Sequence, residues 1–172
     1  MSPRSAAPAD RPSSPAVRVA IALGSNLGDR RHELEDAADR LRAVLEDFRI
    51  SSFHETAPIG VWPQPVFLNA AAAGTTTLSP RDLLNHLLAL EAAAGRTRPY
   101  PGAPRTLDLD LILYGPLVID EPGLVVPHPR FRDRLFVLEP LAEVAPDAVD
   151  PATGASVREL LARARAGGRR PA

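Results

Sequence analysis

The chain has 172 residues, 45% of them hydrophobic and 24% charged, enough for one domain with a sizeable core. Its formal net charge is −1, so no global field draws it to nucleic acid or an anionic membrane. All 20 basic residues are arginine and cysteine is absent, which excludes lysine Schiff bases, a Walker-type lysine, thiolate nucleophiles, disulfides and sulfur-ligated metals.

The first 16 residues are rich in Pro, Ser and Ala and read as a disordered leader without the apolar core of a secretory signal. With no apolar run long enough to span a bilayer, a cytoplasmic location is expected. Residues 17–164 read as a single domain and 165–172 as a frayed basic tail. Within the domain, 17–23 is a mostly buried strand and Gly24-Ser25-Asn26-Leu27-Gly28 a turn. Asp29 caps a helix whose apolar stripe is Leu34, Ala37, Ala38, Leu41, Val44, Leu45 and Phe48. Residues 49–56 form a second strand and 66–77 a third. Ser79-Pro80 opens a second helix that stops at Gly95.

A Pro-rich loop, 96–104, leads into 106–113, which alternates in strict period two. Leu107, Leu109, Leu111 and Leu113 share one face, and Asp108 and Asp110 the other, with Cα atoms roughly 7 Å apart. A hairpin over 115–126, an irregular stretch to 134, a short helix over 135–144 and a last helix over 156–164 follow. The order strand, helix, strand, strand, helix, strand predicts an α+β fold. This is the ferredoxin-like βαββαβ antiparallel sheet with helices packed on it, plus a C-terminal hairpin and short helices.

Two neighbouring carboxylates repel, and hard divalent cations that arrive with substrate phosphates relieve the repulsion. The competing reading is a solvated pair neutralised by Arg96, Arg98 or Arg105. Those arginines flank the long loop, which reads as a lid, and their planar forks match phosphate oxygens. Glu91 falls in line with Leu84 and Leu88 on the second helix. It reads either as a helix-end acid reaching water or as a carboxylate aimed at a site. Phe67 and Asn69 share a strand face and, with Phe136, offer a seat for a flat heterocycle. The alternative is a core aromatic beside a strand-end amide. His128 lies in a Val-Pro-His-Pro loop, a weak signal. A dinucleotide fingerprint is not matched by the Gly24-Ser25-Asn26 turn.

Together these pieces resemble the 6-hydroxymethyl-7,8-dihydropterin pyrophosphokinase family. The matching pieces, in family order, are Gly24-Ser25-Asn26-Leu27, Ser51-Ser52-Phe53, 56–60, Phe67-Leu68-Asn69-Ala70-Ala71, Leu83-Leu84-Asn85-His86, Gly95-Arg96-Thr97-Arg98, 104–114, Val126-Pro127-His128 and 136–141. The resemblance implies transfer of pyrophosphate from ATP to the pterin hydroxymethyl group, with release of AMP. It implies two Mg2+ ions on Asp108 and Asp110, with Arg96 and Arg98 catalytic beside them. Pterin contacts fall to Thr56, Pro58, Ile59, Phe67, Asn69 and Phe136. ATP contacts fall to Glu91, Arg96, Arg98, Arg105, Leu111, His128 and Arg134. The implied partners are small molecules alone, with no nucleic acid or membrane, and the chain is expected to be a monomer.

Some positions depart from the family pattern. An Arg-Trp-Gly usual before the Pro-Arg-Thr-Leu-Asp run is replaced by Tyr100-Pro101-Gly102-Ala103, and Trp62 lies in a different loop. Leu88 stands where glutamine is frequent, and Gly123 and Pro129 where polar or basic residues are. These changes suggest altered nucleotide affinity or lid kinetics. The competing functions are a non-catalytic small-molecule-binding module and an RNA-binding domain on the same fold. The second would want a basic sheet face with exposed aromatics.

Overall fold

The computed structural model describes residues 15–58, 63–97 and 99–167. Most of the expected leader and the end of the tail lie outside these ranges. β1 (Val17–Ser25) runs two residues further than the sequence predicts, so Gly24 is a strand residue and not part of the turn. α1 (Arg30–Arg42) begins where Asp29 accepts the His32 N–H at 3.1 Å. Its buried stripe is Leu34, Ala37, Ala38 and Leu41. Val44 and Leu45 follow the helix, and Phe48 belongs to β2 (Glu46–Ile50).

The expected second strand is split into β2 and β3 (His54–Thr56), both pairing with β4 (Phe67–Thr76). Ser51 bridges the break: its N–H donates to the Ala71 carbonyl, and its hydroxyl accepts the Ala71 N–H, each at 2.9 Å. The hydroxyl thus satisfies a ladder donor where the backbone bulges. α2 (Pro80–Ala93) starts at a Ser79 cap with Pro80 in the first turn. β5 (Asp108–Tyr114) follows, then the hairpin of β6 (Ile119–Glu121) and β7 (Leu124–Val126). A 3-10 turn, α3 (Leu135–Val144) and α4 (Val157–Gly167) close the described chain. α4 runs on to Gly167, so residues 165–167 of the expected tail are helical.

The sheet order is β2–β4–β1–β5, with β3 continuing the β2 edge, and every pairing is antiparallel. This is the ferredoxin-like arrangement expected from the element order. One face carries Val19, Ile21, Leu23, Leu68, Ala70, Ala72, Leu107, Leu109 and Leu111 against the buried sides of α1 and α2. The other carries Ala20, Ala71, Ala73, Ile112 and Leu113 beneath α3 and α4. Alanines on the central strands let α3 approach the sheet closely.

The strict alternation expected for β5 fails at one point. Ile21 pairs with Leu111 but Ala20 pairs with Leu113, which leaves Ile112 as an extra residue. The bulge turns Leu113 to the second face with Ile112, and not to the first face with Leu111.

Candidate active site

A row of four residues crosses the sheet. Asp108 on β5 pairs with Gly24 on β1, Gly24 with Asn69 on β4, and Asn69 with His54 on β3. Period two puts Asp110, Phe67 and Thr56 on the same face as this row. The row lies on the second face, beyond the residues that pack under α3. A Cβ on Gly24 would lie 3.1 Å from Asn69 Oδ1 and 3.9 Å from Asp108 Cβ and a Phe67 ring carbon. Glycine therefore keeps a cradle open between the acid, the amide and the ring. Asn69 is buried and donates its amide N–H to Thr56 Oγ1 at 2.6 Å. That bond leaves Asn69 Oδ1 beside the cradle.

The two aspartates differ in their surroundings. Asp108 Oδ1 accepts Arg96 Nη1 at 2.6 Å, and Asp108 Oδ2 lies 3.0 Å from Arg105 Nε. The neutralisation considered from sequence thus holds for Asp108. Among the described residues no arginine forms an ion pair with Asp110, and His128 Nε2 lies 3.9 Å from its Oδ2. Burial and the neighbouring Asp108 push the Asp110 pKa above the ordinary carboxylate range, while His128, Arg134 and Arg105 pull it back. Burial also lowers the His128 pKa; Asp110 opposes this, and Arg134 and Arg130 add to it.

His128 is held firmly. Its N–H donates to the Ile112 carbonyl at 3.0 Å, and Nδ1 accepts the Arg130 N–H at 3.2 Å. Acceptance at Nδ1 assigns the neutral imidazole's proton to Nε2, the nitrogen facing Asp110.

Of the two readings of Glu91, the structure rules out the acid that reaches water, since the residue is 4% exposed. The buried stripe of α2 is Leu83, Leu87, Leu90 and Glu91, and Leu88 is exposed. Glu91 Oε1 accepts the Leu109 N–H at 2.8 Å and a short bond from Arg96 Nη1. It ties α2 to the start of β5 and fixes the guanidinium that grips Asp108.

Arg105 stacks over Phe67 with its Cζ 5.2 Å from the ring centroid, and Arg134 lies 5.5 Å over Phe136. Both aromatic residues expected to seat a heterocycle thus carry a guanidinium on one face. Phe136 sits in the first turn of α3 and packs, half-buried, on the second-face core. The Leu111 side chain points into the first-face core, so only its backbone is on hand for a nucleotide. Pro58 is half-buried. Arg98, Ile59 and Trp62 lie outside the described residues.

Sequence reading missed the role of Asn26, which is 1% exposed. Its Oδ1 accepts the Arg105 N–H at 2.9 Å, and Nδ2 donates to Gln64 Oε1 at 3.0 Å and the Pro65 carbonyl at 3.3 Å. Gln64 in turn donates to the Gly102 carbonyl. One amide therefore joins the loops that flank the site. The available signal was an asparagine directly after a buried strand. Two surface grooves, one lined by Gly28, Arg30 and Val66 and one by Arg18, Phe48 and Thr75, exclude both aspartates.

The family model of 7,8-dihydro-6-hydroxymethylpterin-pyrophosphokinase (HPPK) matches residues 20–146. The chain belongs to the HPPK family. It is 44% identical over 147 residues to the 2-amino-4-hydroxy-6-hydroxymethyldihydropteridine pyrophosphokinase of Pseudomonas aeruginosa, covering 84% of this chain and 90% of that one. The Bacillus subtilis protein of the same name is 44% identical over 137 residues, covering 78% and 82%. Among solved structures, a Plasmodium falciparum HPPK-DHPS triple mutant with pteroate superposes with a TM-score of 0.70 at 12% identity. The match covers 88% of this chain and 44% of that one, so this chain spans under half of it. At that identity the likeness speaks for the fold alone. Family membership makes the chain a pyrophosphokinase of folate biosynthesis. No helix among the described residues is long and apolar enough to cross a membrane.

Proposed function

We propose that this protein transfers the pyrophosphoryl group of ATP to the hydroxymethyl oxygen of 6-hydroxymethyl-7,8-dihydropterin. A bond forms between that oxygen and the β-phosphorus, the bridge to the α-phosphorus breaks, and AMP leaves. The observation that carries the reading is the placement of Asp108 and Asp110 side by side on one sheet face, with Arg96 and Arg105 beside them. Such transfer needs charge neutralisation and in-line positioning, and little covalent work by the protein.

Among the described residues no cluster of three or more His, Cys, Asp or Glu side chains stands ready for a metal. Two carboxylates with all-oxygen donors still fit Mg2+, which takes its remaining ligands from phosphates and water. Asp108 and Asp110 would hold two such ions, which would draw off charge from the triphosphate oxygens when bound. Arg96, locked by Glu91, and Arg105 present guanidinium donors to the same oxygens. Arg98, from the same loop, is assigned to the transferring group. His128 and Arg134 add donors on the α3 side. Asn69, with Thr56 fixing its rotamer, reads the edge of the pterin, and Phe67 and Phe136 take its faces. Arg105 and Arg134 leave those rings when substrate enters and turn to phosphate.

We assign the domain to residues 17–164, and the working form to a cytoplasmic monomer acting on these small molecules alone. Incubation with ATP, Mg2+ and the reduced hydroxymethyl pterin tests the activity. AMP and the pterin pyrophosphate are the expected products. ADP in place of AMP, or binding of both substrates without turnover, would overturn the proposal.

A further inference from the structure

The matched Ser51-Ser52-Phe53 segment contains a group that the proposed chemistry leaves unused. Glu143, near the C-terminal end of α3, receives three donors from one short stretch of the opposite sheet edge. Ser52 N–H reaches Glu143 Oε2 at 2.8 Å, and the Ser52 hydroxyl lies 2.8 and 2.9 Å from the two carboxylate oxygens. His54 Nε2 lies 2.5 Å from Glu143 Oε1, and facing a carboxylate it serves as the donor. Burial raises the Glu143 pKa, but the Ser52 N–H, the Ser52 hydroxyl and His54 outweigh it and hold it below the ordinary range. The cluster is not a nucleophilic triad, because Ser52 and Glu143 both meet the same imidazole nitrogen.

What the cluster joins gives it a role. His54 pairs with Asn69 in the ladder, and Thr56, two residues on, accepts the Asn69 amide. The segment 52–56 is thus fastened to α3 at one end and to the amide of the cradle at the other. α3 carries Phe136 in its first turn, and its ten residues span about 15 Å. A tilt of α3 about its C-terminal anchor would shift that ring relative to Phe67 and Asn69. The aspartates and Arg105 sit on and before β5, at the other edge of the sheet from β3.

We propose that Glu143 is a positioning residue that sets the width of the pterin slot by clasping α3 to the β3 edge through Ser52 and His54. This inference rests on the proposed assignment of Phe67, Asn69 and Phe136 to the pterin. It makes the two substrate halves separable: loss of the clasp weakens the pterin and spares the nucleotide.

Calorimetry with a non-reactive pterin and, separately, a non-hydrolysable ATP analogue tests it on Glu143→Ala, Glu143→Gln and Ser52→Ala, with thermal unfolding as the fold check. Glu143→Ala should lose about tenfold in pterin affinity, while nucleotide affinity stays within about twofold. Glu143→Gln keeps an acceptor for the Ser52 N–H and should fall between. Equal losses for both ligands, or no loss in a folded variant, would overturn the clasp. If Glu143→Ala fails to fold, Ser52→Ala decides: a pterin-selective loss supports the clasp and its absence refutes it. Failure of the unmutated protein to bind pterin at all would instead strike the assignment of the slot.

Discussion

The two faces of the central sheet are written on the same strands and have opposite tasks. The first face is apolar at inward positions of β1 and β5 and is covered by α1 and α2. The second begins in the same manner under α3 and α4, then gives way to Gly24, Asn69, Asp108 and Asp110. The start of β5 and the residue before it show the contrast in five positions. Leu107, Leu109 and Leu111 are 2%, 3% and 5% exposed, while the Asp110 side chain between them is 39% exposed. The leucines pin the register, since a slip of one residue would drive both carboxylates into the apolar core. The packed face therefore supplies the rigidity that aims the reactive one.

Substitutions on the two faces should separate stability from activity. The largest effect is expected from Asp110→Ala, which should cut AMP formation by about a thousandfold and leave the unfolding midpoint unchanged or raised. Turnover within tenfold of the unmutated rate would sink the role of the acid pair. On the other face, Leu87→Ala removes a fully buried side chain and should cost about 2–5 kcal/mol of stability. The folded fraction should keep its kcat, and denaturant unfolding with parallel assays checks both parts.

Gly24→Ala tests the border between the faces. Its methyl group would press on Asn69 Oδ1, so pterin KM should rise by about tenfold with a modest cost in stability. An unchanged KM would mean that the cradle is not used.

The smallest effect is a pH dependence. Asp110 has its folded pKa raised above its unfolded value, so between the two the native state holds more protons than the unfolded one. Its destabilising contribution is fully present above the folded pKa and fades as pH falls toward the ordinary aspartate range. Asp110→Asn should therefore gain stability over the unmutated protein at neutral pH in metal-free buffer, with the gain shrinking on acidification. Melting curves against pH would show it, and a pH-independent gap would argue against the shift.

Much of this was legible along the chain. The βαββαβ order, the helix caps at Asp29 and Ser79, and the placement of Asp108 and Asp110 opposite the leucines all follow from local periodicity and capping chemistry. The ordered motifs identified the family. For Glu91 two readings stayed open, because helical spacing tells which residues share a stripe, and not that a β5 N–H and an arginine wait on the far side. The bulge at Ile112 was hidden for a similar reason, since pairing with β1 sets it.

The sequence by itself determined the elements, the alternation on β5 and the supply of acids, arginines and aromatics, because each is encoded over a few neighbouring residues. Only the tertiary structure decided which arginine grips which aspartate, that Asn26 joins the flanking loops, and that Glu143 meets Ser52 and His54 from 91 and 89 positions away. Those partners are matched by strand register and helix docking, which depend on the whole core and are not written in any one segment.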